Sequence, residues 1–135
     1  MTIQNFINQI KNNEIDVVEH TQKVIEECRK LNQEYHYFNT ISEELAMKQA
    51  NEIKKSVKNN DKHIKNKKLL GVAISVKDSI CVKGVESTAG SKILKGYKPL
   101  FNATVIKKVI EQGGIIIGKT AQDEFGFGSF SVNVG

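Results

Sequence analysis

No stretch of the sequence approaches the ~20 consecutive apolar residues of a membrane-spanning helix. The opening, MTIQNFINQIKNNE, also lacks the basic and apolar regions of a signal peptide, so the expectation is a cytoplasmic protein. There are only two cysteines, Cys28 and Cys81. They lie far apart and lack metal-type spacing, which argues for free thiols over a disulfide or a zinc site. Proline occurs once, at Pro99, in a glycine- and serine-rich connection. What remains is ordinary for a soluble globular chain: 135 residues, one domain at most, 39% hydrophobic and 26% charged.

The net charge of +5 is unevenly spread. Lys54, Lys55, Lys58, Lys62, Lys65, Lys67 and Lys68 fall close together with only Asp61 against them. A nucleic-acid patch would interleave arginine and aromatic residues, and this run has neither, so a solvated helix end and linker is the better reading.

The stretch GGIIIGKT, from Gly113 to Thr120, fits the phosphate-loop pattern G-x-x-x-x-G-K-[ST]. Its context does not. The residues between the glycines are Ile115, Ile116 and Ile117, which favour a buried strand, and the segment before Gly113 has the apolar spacing of a helix: Ala103, Val105, Ile106, Val109 and Ile110. Gly113 then sits where a C-terminal glycine stop belongs. The order is helix, stop, strand, and not the strand, loop, helix that binds a nucleotide.

The first half reads as helical. Ile3, Phe6, Ile7 and Ile10 give one apolar face that ends at Asn12-Asn13. Asp16 with Glu19 resembles a capping box, and a second helix follows to about Leu31 with Val17, Val18, Thr21, Val24, Ile25 and Cys28 on one stripe. The run YHYFNTI, Tyr35 to Ile41, is a strand or an extended connection. Ser42 caps a third helix through about Val57, with Leu45, Ala46, Gln49, Ile53 and Val57 inward. The expected division is a helical segment over 1–68 and the start of an α/β core over 69–135. From Leu69 the period becomes two, with Val72, Ile74 and Val76 on one face and Gly71, Ala73, Ser75 and Lys77 on the other. Strand, crossover helix, strand argues for a sheet with at least one parallel pair. The sequence stops in a loop-like stretch, which suggests a truncated domain.

Lys77 ends an apolar strand on a face of small residues, and sites in α/β sheets gather at the carboxyl ends of strands. If the position is dry, loss of hydration disfavours the ammonium and leaves a neutral amine able to take or relay a proton. The alternative is an edge lysine pointing into water beside Asp78, and spacing alone does not choose. The run from Asp123 to Ser129, DEFGFGS, follows the next strand and reaches the same sheet edge; its acids either serve a site or cap a short helix with Thr120 as N-cap. GFGSFS is a poor match to the nucleophile elbow G-x-S-x-G, and His20, His36 and His63 read as surface or boundary residues.

Two runs, GVAISVKDSICVKGVESTAGSKIL and NATVIKKVIEQGGIIIGKTAQDEFGFGS, resemble the opening of the amidase signature family. Its motif G-V-P-x-x-V-K-D is matched by Gly71, Val72, Val76, Lys77 and Asp78, with Ala73 in the proline position. Its T-A-G-S is matched by Thr88 to Ser91, and its I-I-G-K-T-x-x-D-E-F by Ile116 to Phe125. The resemblance implies an α/β/α sandwich with a mixed central sheet, of which the N-terminal portion is present here behind a helical segment. It also implies a serine amidase in which Lys77 acts on a bridging serine in a cis peptide bond, and that serine acts on a nucleophilic serine. The two serines belong to a glycine- and serine-rich motif resembling GGSSGGS; none occurs here, and Ser129 and Ser131 do not match it.

Within the family the likeness runs to the glutamine-hydrolysing subunits of tRNA-dependent amidotransferases. That likeness implies a substrate pocket beside Phe127, Gly128 and Ser129, and an ammonia-channel role for Glu124 that stands beside the local capping reading. It implies glutamine as substrate, partnership with a B subunit, joined by a C subunit in a heterotrimer, and Glu-tRNA(Gln) reached through the complex. No cofactor or metal is expected in this chain; ATP and Mg would sit on the B subunit. A general amidase, or a non-catalytic fragment touching tRNA through its lysines, are the alternatives.

Overall fold

The computed structural model describes residues 2–128. In chain order the elements are α1 (Ile3–Lys11), α2 (Val17–Tyr35), β1 (Phe38–Ile41), α3 (Glu43–Lys58), β2 (Ala73–Lys77), α4 (Thr104–Glu111) and β3 (Ile115–Thr120), with short 3-10 turns at Lys62–Asn66, Lys92–Leu94 and Glu124–Gly126. The sheet order is β1-β3-β2; β2 and β3 run parallel, β1 and β3 antiparallel. The expected mixed sheet is present, and its antiparallel edge comes from the helical half of the chain.

GGIIIGKT leads into and forms the middle strand of this sheet. Ile115, Ile116 and Ile117 are buried. Ile115 and Ile117 face one core with Phe6, Ile7, Ile10, Val17, Ile25, Ala46 and Leu70; Ile116 faces another with Val76, Val82, Val85 and Ile106. Helices thus cover both faces, and each fully buried isoleucine stabilises the fold by about 1.5–3 kcal/mol. Gly113 follows the C-cap Gln112 as the glycine stop of α4. Gly118 is needed for another reason: a Cβ there would collide with the Thr40 carbonyl oxygen of β1.

Both neighbours of β3 slip in register. Ile74 pairs with Ile116 and Ser75 with Gly118, which leaves Ile117 as the extra residue; Phe38 pairs with Thr120 and Thr40 with Lys119, which leaves Asn39 extra. β1 is also too short to reach Ile116. Helix α3 substitutes for it: the Ile116 carbonyl accepts from Ser42 Oγ at 2.9 Å, and its N–H donates to Gln49 Oε1 at 2.9 Å.

Several expectations change in detail. Ser42 stands at the N-cap position of α3, but its hydroxyl is spent on Ile116 and makes no cap bond. Helix α2 runs to Tyr35, past Leu31, and ends at His36 in a left-handed conformation (φ 51°). Ile3 and Val105, assigned to apolar stripes, are 61% and 52% exposed, at the margin of stripes whose buried centres are Phe6, Ile7 and Ile106. Val72 precedes β2 and belongs with the α1–α3 core, opposite Ile74 and Val76, because its N–H closes a turn onto Leu69. Thr120 is the last residue of β3 and no N-cap; Asp123 holds that position before the 3-10 turn. Asp16 does cap α2, accepting from the Val18 and Glu19 N–H groups. The lysine run is partly pinned: Lys54 pairs with Asp16 at 2.5 Å, and Lys67 Nζ donates to the Glu111 carbonyl at 2.7 Å.

Candidate functional site

The parallel pair β2 and β3 delivers its carboxyl ends to one place, with Lys77 opposite Thr120. A pocket of about 360 Å³ opens there, walled by Lys77, Thr120, Gln122, Asp123, Gly126 and Gly128. Lys77 is exposed at this pocket, so the dry surroundings that would favour a neutral amine are not supplied by the described residues. Phe127 is 85% exposed and Gly128 is also at the surface, while Ser129 lies outside the described residues.

Consecutive residues of a strand point to opposite faces, so Asp78 goes inward where Lys77 goes out. Asp78 is 1% exposed and Lys119 is 0% exposed. Lys119 Nζ donates to Asp78 Oδ1 at 3.1 Å and to Ser87 Oγ at 2.6 Å. Asp78 Oδ2 accepts from Asn39 Nδ2 at 2.9 Å and from Thr88 Oγ1 at 2.6 Å. Burial pushes the Asp78 carboxyl up, but the hydrogen bonds from Asn39, Thr88 and Lys119 outweigh it and hold the group below the usual carboxylate range. The bulge in β1 matters here, since Asn39 is the extra residue that turns its amide toward Asp78.

The T-A-G-S turn and the D-E-F turn are laced together above this pair. Ser91 Oγ donates to Glu124 Oε1 at 2.6 Å, and the Phe125 N–H donates to the Ala89 carbonyl at 2.8 Å. The Glu124 carboxylate therefore holds the neighbouring turn and does not cap its own. Gly90 (φ 70°) makes the close approach possible, because a Cβ there would sit 2.6 Å from the Gln122 carbonyl oxygen. Gln122 is 4% exposed, and neither of its amide atoms has a hydrogen-bond partner among the described residues.

The sequence-selected residues Lys77, Glu124, Phe127 and Gly128 do gather at one end of the sheet. Sequence reading missed Lys119, Asp78, Asn39 and Gln122 as a buried polar layer beneath them. One signal was available: a buried lysine inside the strand IIIGKT demands an acid, and Asp78 follows directly on the adjoining strand β2, two residues past Val76, the partner of Lys119. Among the described residues, no group of three or more His, Cys, Asp or Glu side chains could hold a metal ion. No helix there is long and apolar enough to cross a membrane.

Comparison with known proteins fits this geometry. Residues 19–135 match the family model described as Amidase. The A subunit of the glutamyl-tRNA(Gln) amidotransferase of Lachnoclostridium phytofermentans is 39% identical over 121 residues, covering 90% of this chain and 24% of that protein. The mitochondrial A subunit of Homo sapiens is 40% identical over 114 residues, covering 82% and 21%. The chain thus spans about a quarter of the length of these relatives. The X-ray structure of the native peptide amidase from Stenotrophomonas maltophilia superposes with a TM-score of 0.79 at 21% identity, covering 87% of this chain and 24% of that one, and shares the fold. A family model matched over residues 19–135, most of the chain, makes this a member of the amidase family.

Proposed function

We propose that this chain is the N-terminal part of the A subunit of a tRNA-dependent amidotransferase, which hydrolyses the side-chain amide of glutamine and passes ammonia on to convert Glu-tRNA(Gln) to Gln-tRNA(Gln). The observation that carries the reading is Lys77. It lines a pocket at the carboxyl end of β2, its neighbour Asp78 is buried and hydrogen-bonded elsewhere, and the motif resemblance gives this lysine the role of the base. In the proposed reaction the Lys77 amine takes the proton of a bridging serine, which draws one from the nucleophilic serine as that attacks the amide carbon; the proton then returns through the bridging serine to the leaving nitrogen as the C–N bond breaks, giving an acyl-enzyme and ammonia. Both serines lie on a glycine- and serine-rich segment that these 135 residues do not contain.

Phe127, Gly128 and Ser129 would then flank the glutamine pocket, with Glu124 at the start of the ammonia path. Glutamine, Glu-tRNA(Gln) and the B and C subunits are the proposed partners in a cytoplasmic complex. ATP and Mg would be used on the B subunit, and this chain would hold no cofactor. Lys77→Ala, made in the protein extended through its serine-rich segment, should lower glutamine hydrolysis by about 10²- to 10⁴-fold at unchanged thermal stability. Wild-type turnover in that variant would refute the assignment. The 135-residue chain alone should show no glutaminase turnover.

A further inference from the structure

We propose that Lys119 is a positioning residue for this site: it takes up the charge of Asp78 and so leaves the Lys77 amine without an anionic partner. Asp78 follows Lys77 directly and is buried beneath the face on which Lys77 is exposed, so an unbalanced charge there would act on the Lys77 amine from below. An opposite charge within ~4–6 Å favours the ammonium form by about 10- to 1000-fold. A base held that way is of little use, and the fold removes the difficulty.

Asp78 has no capacity left for Lys77. Oδ1 accepts from Lys119 Nζ and from the Thr88 N–H at 3.2 Å; Oδ2 accepts from Asn39, from Thr88 Oγ1 and from the same N–H. Even its main-chain carbonyl is engaged, by the Ala89 N–H at 3.3 Å and Lys119 Nζ at 3.4 Å. Lys119 has three donors, and its acceptors are Asp78 Oδ1, Ser87 Oγ and the Asp78 carbonyl. The two buried charges cancel within one layer, so that layer presents almost no net charge to Lys77 above it. Lys77 itself makes no ion pair among the described residues. The other acid lining the same pocket, Asp123, is buried and has an interaction of its own, and the Glu124 carboxylate next in sequence is engaged by Ser91.

The inference rests on Lys77 being the base, and it is tested without turnover, so that its failure and the failure of that reading are distinguishable. The protein extended through its serine-rich segment is treated with an amine-acylating N-hydroxysuccinimide ester at about pH 8, where a fraction of an ordinary lysine is neutral. Acylation of Lys77 is followed by peptide mass spectrometry and normalised to exposed Lys92 in the same sample. Lys119→Gln strips the counter-charge from Asp78, and Lys77 acylation should slow about tenfold, since only the neutral amine reacts. The double variant Lys119→Gln with Asp78→Asn removes both charges and should return the rate to within about twofold of wild type. Unchanged or faster acylation in folded Lys119→Gln overturns the proposal. Should that variant not fold, the double variant decides alone: a rate several-fold above wild type would mean that Asp78 already held the Lys77 ammonium, and the proposal would fall.

Discussion

Replacing Gln122 by methionine should stabilise this protein, although most substitutions of buried residues destabilise. The side chain is 4% exposed, and neither Nε2 nor Oε1 has a hydrogen-bond partner among the described residues. A buried donor or acceptor left unsatisfied costs roughly 1–3 kcal/mol. Methionine is unbranched and of similar length, and it fills the same space without that penalty. The gain should be about 2 kcal/mol, which at a urea dependence of about 2 kcal/mol/M raises the unfolding midpoint by about 1 M. Gln49→Met is the matched control. Gln49 is 7% exposed, but its Oε1 accepts the Ile116 N–H, so the same substitution orphans a backbone donor in the sheet. That variant should lose about 1–3 kcal/mol. Equilibrium urea unfolding followed by circular dichroism measures both. A destabilised Gln122→Met, or two variants moving the same way, would refute the reasoning.

Two further outcomes follow from the same geometry. Gly118→Ala drives a Cβ into the Thr40 carbonyl oxygen and to 3.0 Å from the Phe38 ring, and should cost about 1–3 kcal/mol in urea unfolding by levering β1 off β3; wild-type stability would contradict the close approach. Stability should also fall on acidification in two stages. Burial, aided by the charge of Lys23, depresses His20, and hydrogen bonding from Lys54 depresses Asp16. Each contribution is present above the group's unfolded value and lost as pH falls, for His20 below about 6.5 and for Asp16 below about 3.9. The urea midpoint against pH should show both, and His20→Phe should flatten the first; a midpoint rising as the pH is lowered from about 7 to about 5 would have the wrong sign.

Much of the fold was legible because local chemistry and tertiary context agree in it. Asp16, Gly113 and the change of period after Leu69 each state their element in a few residues. The meeting of Lys77 and the D-E-F turn at the carboxyl ends of the strands, the candidate site, was legible for the same reason. What escaped was set by contacts distant in sequence. Ser42 looks like a cap, yet its hydroxyl is claimed by Ile116, 74 residues on. Asn39 looks like a strand residue, and only the register slip of β1 against β3 aims it at Asp78. Lys119 invited attention as a phosphate-binding lysine when its role is to meet a buried acid on the next strand. Val105 and Ile3 have the right spacing for burial but lie at the margin of their stripes, and periodicity cannot say how much of a stripe is covered.

The way α3 completes β3 has a consequence for assembly. A strand whose partner is too short leaves a row of unpaired amides, and such a row is a template for pairing with another molecule. Here Ser42 and Gln49 occupy that row from the side, so the stretch of β3 beyond β1 offers nothing to an incoming chain. Further strands can join only along the outer margins of β1 or β2, and self-association through the centre of the sheet is blocked by two polar side chains on the first turns of one helix.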